Sequence, residues 1–157
     1  NGHVFDMKDP AIPYRMPPQL FAGGANGFDL LAPTTLGSYG TKDHLGRTVA
    51  TLDFDQDGKL DWLASHLDSP IAPLQNRAAA ENWLQLEFVG TVSERDAIGT
   101  VVRVTAGDQQ WTHWHTGGDG YMCTNEAIIH VGAGAATKID RIEVTWPSGQ
   151  SQSFDEL

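Results

Sequence analysis

Alternation of apolar and polar residues dominates the second half of the chain. Residues 83–89 and 109–116 follow the two-residue period of a half-buried β-strand. The same pattern predicts further strands over residues 98–106, 121–123, 127–131, 139–146 and 151–154. Glycine-rich turns separate these segments at intervals of roughly 8–12 residues, which is typical of an antiparallel sandwich or barrel.

Shorter apolar segments, with more turn residues between them, make up the first half. Residues 19–21 and 28–31 flank the glycine-rich turn at 23–27, so we predict a small β-hairpin. Residues 47–52 and 62–65 predict two further strands, one on each side of an acidic loop.

A segment rich in proline and alanine, residues 68–80, separates the two halves and is interpreted as a linker. The proline-rich residues 1–20 are expected to form an irregular surface loop. We therefore predict one domain over residues 1–76 and a second over residues 77–157, with the boundary near Asn76.

Composition narrows the classes of function. The chain has 157 residues and a formal net charge of −10, with 10 Lys and Arg against 20 Asp and Glu. Because phosphate neutralisation requires a basic surface, nucleic-acid binding is excluded as a general role.

No apolar run approaches the 18 residues of a membrane-spanning helix. The single cysteine cannot form an intrachain disulfide. Aspartate occurs 14 times and glutamate only 6, a bias that favours turns and calcium loops over helices.

The acidic loop carries the most specific chemical signal. Four aspartates occupy positions 1, 3, 5 and 9 of this loop: Asp53, Asp55, Asp57 and Asp61. Gly58 permits a sharp turn at position 6, and Lys59 offers its backbone carbonyl at position 7. Ca²⁺ takes six to eight oxygen ligands, so this spacing predicts a calcium site. An EF-hand is excluded because its twelfth position, which requires a bidentate glutamate, is Ala64.

Two other groups of residues suggest alternative chemistry. His113 and His115 share one strand face, where a third ligand such as Asp119 or His130 would complete a zinc site. The competing interpretation is a pair of partly exposed strand histidines. Separately, three aromatic residues offer stacking surfaces for sugar rings: Trp111, Trp114 and Tyr121. Ordinary core packing is the alternative for at least one of them.

The first half resembles an FG-GAP/VCBS repeat, the unit that forms one blade of a β-propeller. Three stretches carry this resemblance: residues 19–28, 46–50 and 53–62. It implies a blade-like β-meander whose acidic loop binds calcium. Because a closed propeller needs several blades, it also implies that the remaining blades lie N-terminal to this segment in a larger protein.

The second half resembles an ASPIC/UnbV domain. Its motifs lie in five stretches: residues 82–84, 93–99, 117–121, 130–132 and 139–149. The expected fold class is therefore all-β, with a propeller-blade-like β-meander followed by an antiparallel β-sandwich.

Together these features predict a non-catalytic, calcium-binding module for adhesion or ligand recognition. The expected location is secreted, periplasmic or at the cell surface, and the expected partner is a protein or a glycan. Two alternatives remain: a carbohydrate-binding module that uses Trp111 and Trp114, and an accessory domain of a biosynthetic enzyme. Exposed tryptophans in a groove would favour the first alternative, and a deep pocket with perturbed titratable groups would favour the second.

Overall fold

The computed structural model describes residues 2–79 and 81–157, and in these ranges the chain is nearly all β. Asn1 and Ala80, which fall in the predicted surface loop and linker, lie outside the described residues. The strands are β1 (Phe21–Gly24), β2 (Gly27–Leu30), β3 (Gly46–Leu52), β4 (Asp61–His66), β5 (Ala72–Leu74), β6 (Asn82–Glu87), β7 (Val101–Ala106), β8 (Gln109–Trp114), β9 (Ile128–Gly134), β10 (Arg141–Thr145) and β11 (Ser151–Asp155). Helical structure is limited to a 3-10 turn at Pro33–Leu36 and one α-helical turn at Gly37–Gly40. The all-β prediction is confirmed.

The contacts within the chain divide it into two compact units. The first comprises Asn1–Val49 and Trp62–Leu74, and the second comprises Ala50–Asp61 and Gln75–Leu157. The acidic loop therefore belongs to the same unit as the predicted sandwich. The division into domains at residues 1–76 and 77–157 concerns independently folding segments, and it stays a prediction.

The first half of the chain supplies two small antiparallel sheets. Strands β1 and β2 form the predicted hairpin, in which Phe21 pairs with Leu30. Strands β3, β4 and β5 follow one another as a three-stranded meander. The β5 strand was not expected within the linker. It tolerates Pro73 because β5 is the edge of its sheet, where a missing backbone N–H breaks no ladder. The described residues form no closed propeller or barrel.

A β-sandwich fills the second half. One sheet has the strand order β11-β10-β7-β8, and the other pairs β6 with β9. Alternate residues of β7, β9 and β10 point inward and are buried, among them Val102, Val104, Val131 and Val144. Leu84 and Leu86 of β6 pack against this cluster. The period-two pattern of the sequence is thus the core pattern of the sandwich.

One predicted strand, residues 121–123, is wrong. This segment makes only an isolated bridge between Gly120 and Cys123. Met122 has a positive φ of 54° and a largely exposed side chain. Because a left-handed residue reverses the chain, the segment forms a tight turn instead of an extended strand.

The buried position of Val104 generates a stability prediction. Val104 is fully buried, whereas Val92 is 70% exposed. Val104→Ala removes buried methyl groups and leaves a cavity, so it should lower the free energy of unfolding by about 2 kcal/mol. The matched Val92→Ala variant should change it by less than about 0.5 kcal/mol. Urea unfolding followed by circular dichroism measures both values. Equal effects would contradict the assigned core.

Candidate metal centre

The acidic loop connects β3 to β4 and is tightly curled. Gln56 and Gly58 both have positive φ values, of 58° and 82°. Two left-handed residues in close succession wind the backbone so that Asp53, Asp55 and Asp61 converge. One carboxylate oxygen from each of these three lies within 4.8 Å of the other two. Among the described residues, no other group of three or more potential metal-ligand side chains meets this distance limit.

Asp53 organises the start of the loop. Asp53 is only 5% exposed, and both of its carboxylate oxygens accept hydrogen bonds. The Asp57 amide donates to Oδ1 at 3.0 Å, and the Gly58 amide donates to Oδ2 at 2.8 Å. The Gln85 side-chain amide also donates to Oδ2, at 2.9 Å. These N–H donors fix the carboxylate and compensate part of its charge.

Asp61 closes the loop from its other end. It is 1% exposed. Its Oδ1 accepts the backbone N–H of Asn76 at 2.6 Å, and its Oδ2 accepts that of Phe54 at 3.3 Å. Asp55 is exposed, and its Oδ2 accepts the side-chain amide of Gln75 at 2.5 Å. Two buried carboxylates and one exposed carboxylate therefore share one small volume, which favours a cation there.

Asp57 points to a different partner. Its Oδ2 lies 2.5 Å from the Lys59 ammonium, and its Oδ1 accepts the Lys59 backbone N–H at 3.0 Å. The hydrogen bond from the Lys59 side chain lowers the pKa of Asp57, and the same contact raises the pKa of Lys59. The structure thus brings together three of the four predicted carboxylates and places the fourth in an ion pair at the rim.

A ring of hydrogen bonds behind the loop escaped the sequence analysis. Gln85 donates both to Asp53 and, at 3.4 Å, to Nδ1 of His130. His130 Nε2 donates to Glu126 at 3.3 Å, and the same Glu126 oxygen accepts the backbone N–H of Asp53 at 3.0 Å. Gln85 and His130 are cross-strand partners on β6 and β9. The alternation of the sequence could have pointed to Gln85. It lies between the inward residues Leu84 and Leu86, so it faces away from the core.

Trp83 covers the turn of the loop. It shares a β6 face with Gln85, and its indole occupies the position that a side chain on Gly58 would need, with the nearest ring atom 2.0 Å from an ideal Cβ. Gly58 therefore has two separate reasons to be glycine, its positive φ and this contact. The outer face of the β6–β9 sheet serves as the platform of the loop.

The structure brings no third ligand to the histidine pair proposed for zinc. His115 is buried, and its Nε2 donates to the Asp96 carbonyl at 2.9 Å. His113 has a buried Nε2 with no hydrogen-bond partner, and burial lowers its pKa. Neither residue belongs to a group of metal-ligand side chains in residues 2–79 and 81–157.

The two tryptophans proposed for sugar stacking occupy different environments. Trp111 packs against the hydrophobic core of the sandwich. Trp114 projects from the other face of β8 and is 64% exposed, and Tyr121 is also exposed. Trp111 and Trp114 therefore do not form one shared stacking surface.

Comparison with known proteins identifies the second half of the chain. Residues 90–157 match the family model described as ASPIC and UnbV. This segment is an ASPIC/UnbV domain. The predicted resemblance of the second half is thereby confirmed, and the FG-GAP/VCBS resemblance of the first half stays a prediction.

The chain is similar to curated proteins named cartilage acidic protein 1. The Mus musculus protein is 34% identical over 111 residues, covering 64% of this chain and 16% of that protein. The Homo sapiens protein gives the same values, and the Xenopus tropicalis protein is 33% identical over 118 residues, covering 69% and 17%. The chain thus spans about one sixth of the length of these relatives. Among the described residues, no helix combines the length and apolar character needed to cross a membrane.

The contact between Gly58 and Trp83 predicts an unequal response to two alanine substitutions. Gly107 also has a positive φ, of 56°, but nothing lies within 4 Å of its ideal Cβ. Gly107→Ala should therefore cost only the backbone strain, about 1–2 kcal/mol of unfolding free energy. Gly58→Ala carries the same strain and must also displace the indole, so it should cost more. Chemical unfolding of both variants measures the difference, and equal losses would contradict the placement of Trp83.

Proposed function

We propose that this chain is a non-catalytic, calcium-binding recognition module of an extracellular protein. The observation that carries the proposal is the convergence of Asp53, Asp55 and Asp61 within 4.8 Å. Hard oxygen donors without thiolate or imidazole select calcium or magnesium over transition metals. Calcium accepts irregular coordination by several carboxylates, whereas magnesium demands near-ideal octahedral geometry, so this loop suits calcium.

The two other predicted ligands complete the proposed site. Calcium needs six to eight oxygens, and the three converging aspartates leave positions for the Lys59 backbone carbonyl, for Asp57 and for water. Asp57 would have to leave its ion pair with the Lys59 ammonium to reach the ion. We therefore propose that Lys59 competes with calcium for Asp57. The FG-GAP/VCBS resemblance supports this assignment, since the calcium site of such repeats lies in the corresponding loop.

The relatives support the remainder of the proposal. Their name describes an acidic protein of cartilage, a tissue rich in extracellular matrix. This chain is acidic as well, with a net charge of −10. A secreted or cell-surface location would supply abundant calcium, so even a weak site, with a Kd on the order of 10⁻⁴ M, would be filled. Adhesion or ligand recognition, with a protein or glycan partner, is the role that we propose for the module.

Calcium should stabilise the chain, and the exposed ligand Asp55 should be required. At a calcium concentration about one hundred times the Kd, mass action adds about 3 kcal/mol to the free energy of unfolding. A chelator should therefore lower the melting temperature of the wild-type protein. Asp55→Ala should abolish this sensitivity, whereas Asp108→Ala, at the exposed β7–β8 turn, should retain it. Calorimetry that detects no binding at millimolar calcium would refute the proposal.

Removing the competing cation should strengthen calcium binding. Lys59→Ala deletes the ammonium that pairs with Asp57 and leaves the backbone carbonyl in place, so calcium affinity should rise several-fold. Lys138→Ala removes an equal charge from an exposed lysine that pairs with Glu156, and it should leave affinity unchanged. Isothermal titration of the two variants at the same ionic strength separates the local effect from net charge. An unchanged or weaker affinity in Lys59→Ala would refute competition between Lys59 and calcium for Asp57.

A further inference from the structure

A polar cleft of about 290 Å³ opens beside β8 in the second unit. None of the three converging aspartates lines it, although Leu60 of the acidic loop does. The residues that line it include His113, Trp114, Thr116, Asp119, Asn125 and His130. Strand β8 lies at one edge of its four-stranded sheet, so the cleft is bounded by a strand edge instead of a continuous sheet face. Its volume is near the lower end of the roughly 300–1,000 Å³ found for small-molecule sites.

One residue of the cleft wall is an exposed tryptophan, Trp114. Trp114 is 64% exposed although tryptophan buries more apolar area than most residues. An aromatic ring on a cleft wall offers a flat apolar face to a flat apolar ligand surface. The C–H face of a pyranose ring is such a surface, and its hydroxyl groups then point to the polar walls.

The polar residues of the cleft wall are held in place by hydrogen bonds. Asp119 accepts hydrogen bonds from the Thr116 hydroxyl and, at 3.1 Å, from the Asn125 amide. Asn125 is oriented in turn by the Thr51 backbone N–H, which donates to its Oδ1 at 2.9 Å. Asn125 carries a second side-chain N–H, and the Asp119 carboxylate has lone pairs beyond those used in these two bonds. A donor and an acceptor side by side match a hydroxyl group, which both donates and accepts.

Charge distinguishes between the possible ligands. No lysine or arginine lines the cleft, while Asp119 and Glu126 do, so an anionic ligand would be repelled. Both carboxylates are already hydrogen-bonded, Glu126 to His130 and to the Asp53 backbone. Burial lowers the pKa of the His113 imidazole, which favours its neutral form. A cleft with both hydrogen-bond donors and acceptors fits neutral hydroxyls better than a cation, because a cation interacts only with the acceptors.

We propose that this cleft binds one neutral sugar ring, stacked on Trp114 and hydrogen-bonded to Asp119 and Asn125. The sequence suggested stacking on both Trp111 and Trp114. Only Trp114 is proposed here, because Trp111 packs against the hydrophobic core. The proposal does not require a bound metal ion, so failure of calcium binding would leave it standing.

The test is direct binding of neutral methyl glycosides to the full chain. Methyl glucoside, galactoside, mannoside and N-acetylglucosaminide are titrated separately by saturation-transfer NMR and by indole fluorescence. At least one should bind, and Trp114→Ala and Asp119→Asn should each weaken it about tenfold, equal to about 1.4 kcal/mol. The controls change the same chemistry elsewhere: Asp108→Asn at an exposed turn, and Phe154→Ala on β11 at the opposite edge of the sheet. Both should bind as the wild type does.

Two results would overturn the proposal. The first is that none of the four glycosides binds. If an oligolysine peptide binds instead, the cleft is a site for basic segments. The second is glycoside binding that survives Trp114→Ala and Asp119→Asn, since the sugar would then occupy another surface. Melting curves for every variant exclude loss of fold as the cause of lost binding. A Trp114→Phe variant that retains partial affinity would support stacking.

Discussion

Burial of two aspartate carboxylates at the ends of one short loop is the constraint on which this region of the protein depends. Removing an unpaired carboxylate from water costs several kcal/mol, so Asp53 and Asp61 require compensation. Backbone and side-chain N–H groups provide part of it and hold the loop in a curl. The same donors leave the carboxylates aimed at a common point that Asp55 also reaches. A loop that is fixed before the ion arrives loses less conformational entropy on binding.

The β6–β9 sheet links this loop to the hydrophobic core. Leu84 and Leu86 pack into the sandwich from one face of β6, while Trp83 and Gln85 contact the loop from the other. Any displacement of β6 would therefore change the packing of the core and the orientation of Asp53 together. This arrangement explains how a two-stranded sheet, which is marginal alone, gains support on both faces. It also makes the loop a structural part of the sandwich unit and not an appendage.

Local patterns predicted well where a single physical signal decided the outcome. Alternation located the strands of the sandwich, and aspartate spacing located the loop, because each depends on residues close in sequence. The segment around Met122 was mistaken for a strand because its apolar residues carried no sign of a left-handed turn. Contacts over long sequence separations were beyond such reasoning. The pairing of Gln85 with His130, and of Glu126 with the Asp53 backbone, arises only when β6, β9 and the loop meet. The ion pair between Asp57 and Lys59 is local, yet the sequence offered Lys59 only as a carbonyl donor.

The ASPIC/UnbV match covers less of the chain than the packed unit that contains it. The match begins at residue 90, after β6 has ended at Glu87. Without β6, strand β9 would lose its one partner in its sheet, and the core would lose Leu84 and Leu86. The outer face of β9 would then expose His130 without Gln85 or the loop beside it. The family match rests on the turns and strands from residue 90 onward, whereas the compact unit also includes Ala50–Asp61 and the segment from Gln75. The acidic loop and the ASPIC/UnbV domain are thus parts of one packed structure, and a metal ion bound at the loop would act on the stability of both.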